Sequence, residues 1–310
     1  MNKQKIVITA GDFNGVGPEI IVKALNRLRV DSSRIILVGS KQLFGSLNTD
    51  YEICEIPFDS NWIKYGEETQ EAGAFSYNCL IKACELVNNG SVNAIVTAPV
   101  SKNAMHLAGY NFSGQTEVLE KQLGNIEKGE KAEMLFVCGD FRVLLLTRHV
   151  PLAGVKITKD FLIEKILRIN RVLQSDFDIV TPKIALCSLN PHAGENGVLG
   201  CEELVEFLPA VAELQKLGIC VQKPQPSDSL FAKAAKTYLH KMQQPFDVYC
   251  ACYHDQGLIP VKMLAQDSAV NMTVGLNVIR TSPAHGTAYD IAGKNIADES
   301  SMICAIKEVL

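Results

Sequence analysis

Three histidines stand in polar segments that follow apolar runs: His149 in RHVPLAG, His192 in LNPHAGENG and His254 in YHDQG. Imidazole is a common ligand for zinc and similar divalent ions, and three protein ligands leave one position open for substrate. The histidines are far apart in sequence, so spacing alone does not separate a shared metal site from three ordinary loop histidines. Their neighbours favour the site. Asn190, Pro191 and Gly194 fix a turn around His192, and Asp255 follows His254.

A second group of residues suits phosphate. Lys102, Lys262, Lys294 and Arg280 lie in or near segments containing Gly, Ser or Thr. Arg offers a planar fork and Lys a point charge. The plain alternative for each is solvated surface charge. Arg280 fits that alternative least, because it follows the apolar run NVI. Near the C-terminus stands HGTAYDIAGKNIAD (285–298), whose small residues let a backbone approach a ligand closely. Asp290 and Asn295 there can bond ribose or base edges; otherwise the segment is a connection before a capped helix. Several familiar signatures are absent. Gly15-Val16-Gly17 is followed by Ile at position 20, so the dinucleotide fingerprint fails, and neither a P-loop nor a G-x-S-x-G elbow occurs.

These residues need elements to position them. Apolar, β-branched runs predict strands at 5–11, 34–39, 92–98, 183–189 and 247–253, and a hairpin of 132–138 with 141–147 across Gly139-Asp140. Helical periodicity predicts helices over 15–30, 69–89, 158–175, 200–217 and 228–241. A last helix begins near Asp298 as N-cap. Alternation of β and α implies an α/β fold with a mostly parallel sheet and helices on both faces. Ligands in such sheets sit beyond the carboxyl ends of strands. The segments GDFNGVG, TAPVSK, RHVPLAG, LNPHAGENG and YHDQG all follow predicted strands.

The chain has 310 residues, enough for about two domains and a large core. Its net charge of −4 excludes a bulk basic surface for nucleic acid. Ten cysteines are scattered without a C-x-x-C pair, which fits buried thiols better than disulfides or a zinc ribbon. No uninterrupted apolar run is long enough to span a membrane, and the N-terminus enters a strand at once, so a soluble, cytoplasmic protein is expected.

Seven segments carry a resemblance: ITAGDFNGVGPEI, TAPVSKNAMHLAGYNFSGQTE, RHVPLAGV, LNPHAGENGVLGCEE, YHDQGLIPVK, VNMTVGLNVIRTS and HGTAYDIAGK, between residues 8 and 294. The chain resembles the 4-hydroxythreonine-4-phosphate dehydrogenase family of pyridoxal phosphate biosynthesis. LNPHAGE together with YHDQGLIPVK is highly specific to it. The final segment also resembles the cofactor loop of isocitrate and isopropylmalate dehydrogenases, which bind NAD(P) without a Rossmann fingerprint. The resemblance implies a two-lobed isocitrate/isopropylmalate dehydrogenase-like fold with the active site between the lobes. One lobe would hold 1–125 plus 275–310 and the cofactor loop; the other would hold 126–274, the dimer interface and the metal-binding loops.

The resemblance also implies roles. His149, His192 and His254 match the family's ligands for a divalent metal (Zn, Mg or Co), at a homodimer interface that draws ligands from both subunits. Thr116, Lys262, Asn271 and Arg280 match substrate-binding residues, and Gln115 stands beside them. His285, Gly286, Thr287, Asp290, Gly293 and Asn295 would hold NAD or NADP. Asp255 is a candidate general base or an orienting partner for a metal ligand, and Lys262 a second catalytic candidate. The implied reaction is metal- and NAD(P)-dependent oxidation of 4-phosphohydroxy-L-threonine at C3, then loss of CO2 to give 3-amino-2-oxopropyl phosphate. Two residues depart from the family's pattern. Gln115 replaces the His of Gly-His-Thr-Glu, and Ala284 replaces the Asp of Asp-His-Gly-Thr-Ala. Gln can hydrogen bond but carries no proton. These departures keep open a paralogue acting on a 4-phosphorylated sugar acid such as threonate or erythronate, and a non-catalytic ligand-binding descendant.

Overall fold

A computed structural model describes residues 5–112, 114–125, 130–265 and 267–310. Along the chain run β1 (Ile6–Thr9), α1 (Gly17–Leu28), β2 (Ile35–Gly39), β3 (Glu52–Glu55), α2 (Gln70–Asn88), β4 (Ala94–Thr97), α3 (Lys102–Leu107) and α4 (Gln115–Leu123). Then come β5 (Glu133–Cys138), β6 (Phe141–Leu145), α5 (Lys159–Asp176), β7 (Ile184–Leu186), α6 (Leu208–Lys216), α7 (Ser227–Leu239), β8 (Val248–Ala251) and α8 (His254–Ala265). The chain closes with β9 (Val270–Val274), β10 (Ile279–Pro283) and α9 (Ser300–Lys307).

Two units emerge, Met1–Ala132 with Val270–Leu310, and Glu133–Ala269. The breaks fall at 132/133 and 269/270 rather than at 125/126 and 274/275. The second break falls before β9 because β9 pairs antiparallel with β10 and so belongs to the first unit with it.

In the first unit the strands run β3-β2-β1-β4-β10-β9, all neighbours parallel except the last pair. β1, β2 and β4 are buried along their whole length. Burial on both faces is why IVIT and IILVG read as unbroken apolar runs and not as alternating ones. Pro18 sits in the first turn of α1, where its missing N–H costs nothing, and Ile20, Ile21, Ala24 and Leu25 bury one stripe. Thr69 caps α2 by accepting the Ala72 N–H.

In the second unit the strands run β5-β6-β8-β7. β5 and β6 form the predicted hairpin across Gly139-Asp140, and β6, β8 and β7 are parallel. The helix predicted over 200–217 begins instead as one wide π turn, Glu203–Phe207, and continues as α6. Pro209 has no N–H to return to the preceding turn, and the wide turn ends just before it. YHDQG is no loop: His254 opens α8. At α9 the cap position falls to Glu299, while Asp298 accepts the Ser300 N–H.

Candidate active site

Two of the three histidines come together. His149 follows β6 and His254 opens α8, and their ring centroids lie 5.7 Å apart. β6 and β8 are parallel neighbours, so the segments after their carboxyl ends emerge side by side. Thr147 ties them further by donating to the Cys252 carbonyl at 2.7 Å. α8 approaches closely because of Gly257. A Cβ there would lie 2.6 Å from Leu145 and 3.0 Å from Ala251, so any side chain would push the helix off β6 and β8. Asp255 meets His254 Nδ1 at 2.7 Å. That contact leaves Nε2 to face a ligand, the usual arrangement behind a metal-bound imidazole.

His192 lies in a backbone of unusual shape. His192, Ala193, Gly194, Glu195 and Asn196 all have positive φ, between 42° and 78°. Such a left-handed stretch costs roughly 1–2 kcal/mol per non-glycine residue. Its N-terminal end is well held. Asn190 donates its backbone N–H to Glu203 at 2.8 Å and its amide to Glu202 and Glu203 at 2.7 and 2.9 Å. Gln256 of α8 donates to the Ser188 carbonyl, linking this segment to the helix that carries His254. Among the described residues no three His, Cys, Asp or Glu side chains of one chain are grouped to hold an ion. The residues present fit part of a metal site: a histidine pair, an orienting carboxylate and a third histidine on a linked loop.

These loops and α8 carry exposed apolar side chains beside polar ones such as Glu195, Asn196 and Asp255. Val150, Leu152, Val198, Leu199, Ile259 and Met263 are exposed. Lys262 is exposed on α8, about 10 Å along the axis from Asp255 and on the same face.

The first unit gathers the anion-binding candidates. Arg280 lies on β10 opposite Ile95 of β4 and Thr273 of β9, and is only 4% exposed. Its guanidinium donates twice to Thr97 Oγ1, at 2.8 and 2.6 Å, and at 3.5 Å to Thr273 Oγ1. Among the described residues no carboxylate pairs with it. Burial pulls it down to about 10, partly offset by the charge of Glu117. Thr116, in the first turn of α4, shares a contact with Thr273 at 3.5 Å. Gln115 beside it donates to the Ala98 carbonyl at 3.3 Å, next to the Thr97 that holds Arg280. This orients the amide and turns Gln115 Oε1 into a buried acceptor without a donor among the described residues; Asn271 Oδ1 is another. A buried cation that lacks a counterion and two acceptors that lack donors are costly unless a ligand completes them. They fit a small anion that also carries hydroxyl or ammonium groups. Lys102 and Lys294 are exposed, and Lys294 bonds the Asp290 carbonyl at 2.7 Å.

The 285–295 segment is a chain of tight turns packed on the β1–α1 loop. Ala288, Gly293 and Asn295 have positive φ. Val16 N–H donates to the Thr287 carbonyl at 2.9 Å. Gly15 permits that approach, since a Cβ there would stand 2.7 Å from the same oxygen. Gly293 and Asn295 line a cavity of about 380 Å³ with Phe58, Ile63 and Tyr65. The residues fit a nucleotide: small residues, open backbone and an adjoining partly aromatic cavity. His285, Gly286, Asp290 and Asn295 are exposed there, and Thr287 is half-buried.

Sequence reasoning missed four residues. Thr97 and Thr273 look like ordinary strand residues. Asp12 and Tyr289 are joined at 2.6 Å across most of the chain. Asp12 lies in GDFNGVG, a segment that the sequence marks as following a strand; a polar acid just after a buried strand is the signal for Asp12 itself.

The model for the family described as "Pyridoxal phosphate biosynthetic protein PdxA" matches residues 12–309. A 4-hydroxythreonine-4-phosphate dehydrogenase of Bacteroides thetaiotaomicron is 39% identical over 98% of this chain and 87% of its own length. A relative from Oceanobacillus iheyensis, named for D-threonate 4-phosphate dehydrogenation, is 36% identical over 100% of this chain and 98% of its own. The crystal structure of the Klebsiella pneumoniae 4-hydroxythreonine-4-phosphate dehydrogenase superposes with a TM-score of 0.84 at 31% identity, covering 99% and 98% of the two chains. An isocitrate dehydrogenase from Methylococcus capsulatus shares the fold at a TM-score of 0.51 and 15% identity. The chain belongs to the PdxA family of pyridoxal phosphate biosynthetic proteins.

Proposed function

We propose that this chain is a divalent-metal- and NAD(P)-dependent dehydrogenase that oxidises 4-phosphohydroxy-L-threonine at C3, with decarboxylation to 3-amino-2-oxopropyl phosphate. The observation that carries the reading is Arg280: a buried guanidinium held, among the described residues, only by the hydroxyls of Thr97 and Thr273, beside the Gln115 and Asn271 acceptors that have no donor among those residues. That set suits a substrate with an anionic end and donor groups. Membership in a family whose relatives bear this enzyme's name supports the same substrate class.

When bound, a nicotinamide cofactor would supply the hydride acceptor for C3 and a divalent metal would supply a Lewis acid for the C3 oxygen. His149, His192 and His254 would hold the metal, Zn, Mg or Co. Asp255 orients His254 through Nδ1, and so serves as a positioning carboxylate rather than as a free base. Arg280 and Lys262 bind anionic groups and fix the substrate's orientation. Thr116 and Asn271 bind beside Arg280, and Gln115 Oε1 accepts from an ammonium or hydroxyl. His285, Gly286, Thr287, Asp290, Gly293 and Asn295 would hold the nucleotide. The exposed apolar side chains around the histidine loops suit burial against a second copy of the chain, which would supply the missing ligand. Among the described residues no helix is long and apolar enough to cross a membrane.

The test is product analysis. Protein, Zn2+ or Mg2+, NAD+ or NADP+ and substrate should yield reduced cofactor and CO2 in equal amounts, and His192→Ala should abolish both. Full activity in that variant would remove the metal role. A second reading has its own support. Gln115, a neutral acceptor in place of the family's His, suits a hydroxyl as well as an ammonium, and one close relative is named for D-threonate 4-phosphate. Turnover of the hydroxy acid in preference to the amino acid would select that reading.

A further inference from the structure

The segment proposed for the nucleotide is tied down at both ends and in its middle. At one end the Ala284 N–H bonds Ser301 Oγ at 3.2 Å. At the other, Glu19 accepts the Ala297 N–H at 2.7 Å, and Lys23 donates to the Asn295 and Ala297 carbonyls at 3.1 and 2.9 Å. In the middle, Tyr289 reaches the Asp12 carboxylate at 2.6 Å. Asp12 has no solvent exposure, and its other oxygen accepts the Asn14 N–H at 2.8 Å. Its own N–H bonds the Pro99 carbonyl at 3.0 Å. Asn14 in turn bonds Lys64, Glu67 and Thr69, so Asp12 is anchored to Pro99 directly and to residues 64–69 through Asn14.

A buried carboxylate is costly, and a position that needed only packing would be better filled by an apolar residue. What Asp12 provides is a fixed, desolvated acceptor, and an O–H···O⁻ bond of this length is among the strong ones. The bond falls where the backbone needs it. Ala288, just before Tyr289, has φ +48°, a left-handed conformation that an alanine does not hold without support. Asp290, just after it, is a proposed nucleotide contact.

We propose that Tyr289 is a positioning residue for the nucleotide segment: its hydroxyl, latched to the Asp12 carboxylate, holds Thr287–Asp290 in the binding conformation. The proposal rests on the reading that this segment binds NAD(P). Its role is to pre-order the loop, so that binding does not have to. Tyr289→Phe keeps the ring and removes only the hydroxyl.

The experiment measures NAD(P)H dissociation constants by nicotinamide fluorescence, kcat at saturating cofactor, and amide hydrogen exchange over 285–295 without ligand. Tyr289→Phe should weaken nucleotide binding by about tenfold, the loss of one charge-assisted bond. kcat and substrate KM should stay within about twofold, and exchange over the segment should quicken. Asp12→Asn, which keeps one acceptor oxygen for two donors, should show a smaller change in the same direction and serves where the first variant does not fold. Wild type that binds nucleotide no better than Tyr289→Phe would overturn the latch. Wild type that binds no nicotinamide nucleotide would overturn the cofactor reading and the latch's role with it. Equal losses of cofactor affinity, substrate affinity and thermal stability would mark Tyr289 as merely structural and overturn the proposal.

Discussion

The rings of His149 and His254 lie 5.7 Å apart, and Asp255 grips the second of them through Nδ1 at 2.7 Å. The carboxylate's position sets which ring nitrogen faces outward. Asp255→Asn keeps an acceptor but loses the charge, so Zn2+ affinity should fall about 10–100-fold. Calorimetric titration of the metal-free protein measures this. An unchanged dissociation constant would remove Asp255 from the site.

Arg280 is held by hydroxyls alone among its hydrogen-bond partners in the described residues. Arg280→Lys retains charge, yet a single ammonium cannot reproduce the fork across Thr97 and Thr273. Arg280→Ala should raise the KM for the phosphorylated substrate by at least about thirtyfold, and Arg280→Lys by less, since truncating one partner of a buried charge pair costs about 2–5 kcal/mol. Steady-state kinetics with varied substrate distinguishes them.

The left-handed run at His192–Asn196 sets the sign of a stability change. Ala193 has φ 54°. Ala193→Gly relieves strain of roughly 1 kcal/mol and is offset in part by the greater freedom of glycine in the unfolded chain. Urea melts should therefore show no loss, or a gain of up to about 1 kcal/mol. The same substitution in a right-handed helix would cost about 1 kcal/mol. A loss of that size would contradict the backbone described for this loop.

Burial holds the Asp12 carboxyl above its ordinary range, against the hydrogen bonds from Tyr289 and Asn14 that pull it down. The folded state thus keeps the Asp12 proton to higher pH than the unfolded state does. From about pH 4 up to that raised value, folded molecules bind more protons, so Asp12's contribution to stability falls as pH rises. Asp12→Asn lacks this titration. Thermal melts across that range should show wild type losing ground to the variant as pH increases; a constant difference would contradict the raised value.

Much of this was legible from local pattern. The buried parallel strands β1, β2, β4, β7 and β8 announce themselves as short apolar runs, and the hairpin of β5 and β6 by its Gly139-Asp140 turn. β3 is half-exposed and weakly apolar, and the run through β9 and β10 is interrupted by Asn271, Thr273, Gly275 and Asn277, so pattern gave no strand there. α8 was hidden by Gly257 and Pro260, two helix-disfavouring residues: the first is needed for close packing on β6 and β8, and the second is tolerated within the helix. The site followed the same division. His149, His192 and His254 stand out by residue type. Thr97, Thr273, Asp12 and Tyr289 matter only through partners that folding brings from far along the chain.

The most direct test is kcat/KM for 4-phosphohydroxy-L-threonine, followed by reduced-nicotinamide absorbance on metal-loaded protein, beside the same measurement for threonate 4-phosphate. Turnover of the amino acid, exceeding that of the hydroxy acid and lowered at least about thirtyfold in kcat/KM by Arg280→Ala, is the expected result. No cofactor reduction with NAD+ or NADP+ and any of Zn2+, Mg2+ or Co2+ would contradict it.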